Sequence, residues 1–118
     1  MQLTDDHQLC VSDTAESKFL EQAELQAISK GLKYMKISYP NGSQYRGYVN
    51  KINQEEGVGI IKLEGGRIVG EFKEGKKHGA VKIISKDGQT FWGEYKNDSR
   101  EGYGTYTWPN GESYSGQW

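Results

Sequence analysis

Apolar and polar residues alternate one by one in short runs over most of this chain, and a period of two is the mark of strands that turn one face to a core. The runs fall at about 44–49, 58–63, 67–73, 80–85, 90–96, 103–108 and 113–118. Upstream the period changes. Ala15, Phe19, Leu20, Ala23 and Ala27 share one side of a helix, Asp13 and Glu16 have capping-box spacing, and Lys30 and Gly31 suit a helix end. An amphipathic helix is therefore predicted within 13–31, over about 14–30. Residues 1–12 are polar and aperiodic, and are expected to be disordered.

A ladder of glycines organises the alternating part. Gly47, Gly70, Gly93 and Gly116 stand 23 residues apart, with Tyr45, Ile68, Phe91 and Tyr114 two residues before them and Val49, Phe72, Tyr95 and Trp118 two after. Between the rungs lie Gly57-Val58-Gly59, Gly79-Ala80-Val81 and Gly102-Tyr103-Gly104, each leading through a strand to a turn glycine, Gly66, Gly88 or Gly111. One repeat is thus two strands and two turns, and a fixed period of this length signals a stacked array. Asn41-Gly42, Asp87-Gly88 and Asn110-Gly111 read as tight turns whose residues tolerate positive φ. Lys51–Glu56, Lys73–His78 and Lys96–Glu101 read as longer charged loops.

These residues resemble the MORN repeat, with its Tyr-x-Gly-x-aromatic, Gly-x-Gly-x-aromatic and Asn-Gly elements, over about residues 33–118. Residues 33–42 form a degenerate half repeat, followed by repeats at about 43–65, 66–88 and 89–111 and a partial repeat at 112–118. Val81 departs from the pattern, standing where the second glycine of Gly-x-Gly belongs. The expected fold is all-β: a single-layer antiparallel meander of stacked hairpins with one N-terminal helix.

Alternation divides the strands into two faces. The face of Tyr45, Val49, Ile68, Phe72, Phe91, Tyr95 and the rung glycines is expected to be the packed one. A β-carbon at Gly70 or Gly93 is expected to strike a ring from the neighbouring strand. The opposite face is polar but carries Tyr48, Ile60, Val69, Ile84, Trp92 and Tyr103, more apolar surface than a solvated face usually shows. Either a partner or the helix would cover it, and Tyr48, Trp92 and Tyr103 are the candidate partner residues.

Composition narrows the function. Only 34% of the 118 residues are hydrophobic, so packing falls to the aromatic rings. Residues 1–30 carry two lysines against six acids, and residues 31–118 carry thirteen basic against ten acidic residues, an imbalance too mild to predict nucleic-acid binding. A single cysteine, Cys10, fits a reducing compartment, and no apolar run approaches a membrane span, so a cytoplasmic protein is expected. A Cys10/His78 nucleophile pair is a weak candidate beside the plainer reading of a thiol and a turn histidine. No catalytic residues, cofactor or metal site are expected, since no His, Cys, Asp or Glu recur at ligand spacing. The Gly-x-Gly pairs open strands and not helices, which argues against a phosphate loop.

Lys73, Lys76 and Lys77, with Lys96 and Arg100 in an equivalent loop, are the candidate lipid or partner loop residues. Glu55, Glu56, Glu74, Asp98 and Glu101 dilute this charge, so solvated loop lysines are the plainer reading. The resemblance implies a non-enzymatic scaffold with protein partners, cytoskeletal or ciliary, as in radial-spoke heads, junctophilins and parasite cytoskeletal scaffolds. Its alternatives are a regulatory segment of a larger enzyme, as in plant phosphatidylinositol-phosphate kinases and a histone methyltransferase, or a module for anionic phospholipid. The repeat stops at Trp118, so either more chain is expected to follow or the 112–118 edge is expected to pair with a second molecule.

Overall fold

The computed structural model of this protein describes residues 14–117. The element order is α1 (Thr14–Ser29), β1 (Lys33–Ser38), β2 (Gln44–Val49), β3 (Glu55–Leu63), β4 (Gly66–Lys73), β5 (Lys76–Ser85), β6 (Thr90–Lys96), β7 (Ser99–Thr107) and β8 (Ser113–Gln117). The strands form one eight-stranded antiparallel sheet in sequence order, with β1 and β8 at opposite edges, so the sheet is an open meander. The expectations for residues 1–12, for Asp13 as a helix cap and for Trp118 lie outside the described residues.

The helix ends as its sequence dictates. Gly31 takes φ 79°, its N–H donates to Ile28 O at 3.0 Å, and the Leu32 N–H donates to Ala27 O at 3.1 Å. This is the Schellman pattern, and Leu32 packs in the same apolar cluster as Ala27, the contact that usually accompanies it. The chain then turns directly into β1.

Two kinds of turn alternate along the sheet. At 39–43, 85–89 and 108–112 a glycine with φ near 90° (Gly42, Gly88, Gly111) donates back three residues, to Tyr39 O, Ser85 O and Trp108 O. Here the structure corrects the expectation of positive φ at both turn residues. Asn41, Asp87 and Asn110 stay at negative φ and act as acceptors, taking the N–H of Ser43, Gln89 and Glu112 on their side-chain oxygens. At the other edge, the supposed longer loops at 73–78 and 96–101 are two-residue turns. Glu74-Gly75 and Asn97-Asp98 both have positive φ, the conformation that matches the twist of a tight hairpin. In the 51–56 loop, β3 already begins at Glu55. Gly66, read as a turn glycine, instead opens β4 opposite Leu63 and Ser85.

The residues assigned to loops are taken up by bulges. From Gly47 to Val49 the partner moves from Gly59 to Glu55, and from Gly70 to Phe72 it moves from Val81 to Lys77. From Gly93 to Glu94 it moves from Gly104 to Glu101. Each shift sets extra residues on the Gly-x-Gly strand. Its first glycine (Gly57, Gly79 or Gly102) takes φ between 71° and 104°, which explains why glycine stands there.

Three apolar clusters hold the molecule together. Tyr45, Val49 and Phe72 form one and Val81, Phe91 and Tyr95 another, both on the face expected to be packed. The third, with the most buried residues, lies on the opposite face, where Leu20, Ala23 and Ala27 of α1 cover Tyr48, Val58, Ile60 and Val69. Half of the sheet is therefore packed on both sides, because α1 completes a second apolar layer.

Candidate functional site

Pairing aligns the glycines of successive strands into a row across the sheet: Met35, Gly47, Gly59, Gly70, Val81, Gly93, Gly104 and Gly116 face one another in turn. Two residues along each strand runs a second row, Ile37, Tyr45, Ile61, Ile68, Ile83, Phe91, Tyr106 and Tyr114, on the same face. Its rings lie over the glycine row. A β-carbon at Gly93 would stand 2.7 Å from Phe91 Cζ, one at Gly116 2.5 Å from Tyr114 Oη, and one at Gly59 2.5 Å from Tyr45 Cζ. The collision with a neighbouring strand's ring expected at Gly70 and Gly93 is found at neither, and occurs instead at Gly59, for which it was not expected. At Gly93 the nearest ring is two residues earlier on the same strand, and at Gly70 the obstacle is Val81 and the Ala80 carbonyl.

The rings are pinned. Tyr45 donates its phenol hydrogen to Tyr48 O at 2.7 Å and meets Phe72 edge-on at 5.4 Å. Burial, and then the Glu55 carboxylate, push its phenol well above the ordinary tyrosine value. Tyr39 is raised by burial and by donating to Glu55. On the other face Tyr48 donates to Glu24 of α1 at 3.0 Å, and burial followed by that negative charge raises its phenol too.

A family model described as MORN repeat matches residues 69–89 and 93–113, which contain the rungs Gly70 and Gly93 and the turns closed by Gly88 and Gly111. Residues 69–89 and 93–113 are MORN repeats. Comparison with curated proteins finds no match. The matched segments hold β5 and β7 whole and most of β4 and β6, and the registers to either side continue the same two rows.

The MORN hairpins position the candidate loop residues unequally. Lys73 and Lys76 are exposed opposite one another beside the Glu74-Gly75 turn, and Lys96 is exposed opposite Ser99. Lys77 and Arg100 are committed elsewhere. Lys77 pairs with Asp98 at 3.1 Å and lies 5.5 Å from the Tyr95 ring centre. Arg100 donates to Tyr95 Oη at 3.1 Å and stacks 4.1 Å over the Phe91 ring. Burial pushes the Asp98 carboxyl up, but the Lys77 N–H and ammonium outweigh it and hold it below the usual value. The same turns stitch repeats together: Gly75 N donates to Glu55 O and Asp98 N to Lys77 O, both at 3.0 Å.

The candidate partner residues also separate. Tyr48 is 1% exposed beneath α1 and has no surface to offer a partner. Trp92 is partly covered by Phe19, edge-on at 5.5 Å. Tyr103, beyond the reach of α1, is 67% exposed. Among the described residues, no group of three or more His, Cys, Asp or Glu is placed to hold a metal ion, and no helix is long and apolar enough to cross a membrane.

A feature that strand-by-strand reading missed lies beside α1. Strands β1 to β5 enclose an open trough of about 900 Å³ bordered by Lys36, Arg46, Lys62, Arg67 and Lys86. Its signal was present in the cations on the second face of each strand. Only the registers bring them together.

Proposed function

We propose that this chain is a non-enzymatic scaffold, a MORN-repeat protein-interaction module that acts in the cytoplasm and has cytoskeletal partners. The observation that carries the reading is how burial changes along the repeat. The same slot is 1% exposed at Tyr45 and 2% at Phe91, but 51% at Tyr114, with Trp108 and Tyr103 also open at that end. Exposed aromatic surface on β7 and β8 suits a protein partner, because rings supply large contact area at low entropic cost. Self-association through 112–118 would draw on the same rings.

Light scattering and cross-linking of the full chain with native extract test this. Tyr103→Ser with Tyr114→Ser should leave the melting curve intact while removing cross-linked partner or dimer. Equal cross-linking by the variant and the original chain would refute it. The lipid reading is weaker, since Lys77 and Arg100 are held by Asp98 and by the rings. Binding to phosphatidylserine vesicles that is lost on changing Lys73, Lys76 and Lys96 to glutamate would promote it above the scaffold.

A further inference from the structure

We propose that the trough beside α1 is a docking groove for an acidic, extended protein segment, which rests on the interaction-module reading and names the chemistry of a partner. On the face that carries α1, Lys36 stands directly opposite Arg46, and Lys62 directly opposite Arg67. Like charges in opposed positions of an antiparallel pair destabilise it, and here two such pairs lie side by side. Lys86 adds a further cation on the rim, and Glu64 is the acid among the lining residues. The chain as a whole is at −1, so this positive surface is local and not a general basic character.

The floor is partly apolar: Ile84, opposite Arg67, is half-buried and lines the trough, whereas Ile60, opposite Arg46, is 4% exposed and taken up by the cluster under α1. Acidic side chains that alternate with apolar ones satisfy both parts of the trough. An extended segment presents every second side chain to one face at about 6.8 Å, the same spacing that separates Arg46 from Gln44 and Ile60 from Lys62 along their strands. Arg67 is engaged within the chain, so Lys36, Arg46, Lys62 and Lys86 carry the expectation.

Geometry separates this occupant from other polyanions. The helix stands on the same face next to the trough, and a helix with its side chains is about 10 Å across. A flat bilayer resting on α1 is thereby held off the floor. Single-stranded nucleic acid needs exposed rings to stack on, and the one aromatic lining residue, Tyr45, is 1% exposed.

The test is fluorescence anisotropy of the full chain with a labelled peptide of Glu-Glu-Ile repeats. The same chain is titrated with phosphatidylserine vesicles and with a thymidine oligonucleotide. Binding of the peptide should weaken with salt and fall about tenfold or more in Lys36→Gln/Lys62→Gln. The melting temperature of that variant at low salt should hold or rise, because two like-charge oppositions are relieved. Lys86→Glu, on an exposed turn, should weaken binding without touching a strand. No peptide binding by the folded chain, equal binding by these variants, or tighter lysine-dependent binding of vesicles or oligonucleotide would each overturn the proposal. If the peptide fails while cross-linking through Tyr103 and Tyr114 persists, the trough assignment falls and the scaffold reading stands.

Discussion

Gly59→Ala isolates the physical reason for the glycine row. Gly59 has no left-handed backbone to strain, so the only new element is a methyl group. That methyl would stand 2.5 Å from Tyr45 Cζ and nearer still to Cε2 and Oη. The ring cannot swing away at low cost, because Tyr45 is 1% exposed, hydrogen-bonded to Tyr48 O and set against Phe72. Overpacking of this kind costs about 1–3 kcal/mol, and displacing the phenol from its buried acceptor adds roughly 1–2 kcal/mol. Alanine's lower unfolded-state entropy returns about 0.5–1 kcal/mol. The net is about 1–4.5 kcal/mol, centred near 3, or a fall in Tm of roughly 10 °C for a domain of this size. Gly65→Ala is the control, since nothing lies within 4 Å of its β-carbon, and it should melt at or slightly above the original chain. Combining Gly59→Ala with Tyr45→Ala should cost about 1–2 kcal/mol less than the two single changes added together. Calorimetry of the five chains decides it. An unchanged Tm for Gly59→Ala, or strict additivity with Tyr45→Ala, would refute the idea that the glycines exist to seat the rings.

Three further predictions follow from the packing and the titrations. Leu20→Ala, at a fully buried position of α1, should cost about 2–5 kcal/mol and expose the Val58, Ile60 and Val69 face, read as new binding of an apolar dye. Tyr45 and Tyr48 have phenols raised above their unfolded value of 10.0, so their contribution is intact below pH 10 and is lost as pH rises through the folded values. Each adds a slope of about 1.4 kcal/mol per pH unit over that window, and tyrosinate absorbance should rise together with loss of sheet circular dichroism. Asp98 is lowered, so its stabilisation is present above its unfolded value of 3.8 and is lost as pH falls through the folded one. Asp98→Asn should therefore flatten the acid limb of stability against pH, while costing under about 1 kcal/mol at neutral pH because the Lys77 pair is partly exposed.

The 23-residue period, with glycine between apolar partners, was enough to specify an antiparallel meander. Each rung carries its own alternation and its own turn, so the information is local. The helix end at Lys30-Gly31 was equally local, as were the left-handed turn glycines Gly42, Gly88 and Gly111. Tertiary structure decided what depends on counting across strands. The charged stretches at 73–78 and 96–101 looked like loops because strand propensity is weak there. The bulges opposite Tyr48 and Glu71 and beside Glu94 absorb the extra residues, and the hairpins close in two. Which face is core could not be read from alternation alone. Tyr48 and Trp92 stood in the same kind of position as the exposed Tyr103, and only the placement of α1 buries the first, half-covers the second and leaves the third open. The trough was invisible for the same reason: Lys36, Arg46, Lys62 and Arg67 lie on four strands, and only pairing register, a property of the assembled sheet, sets their charges side by side.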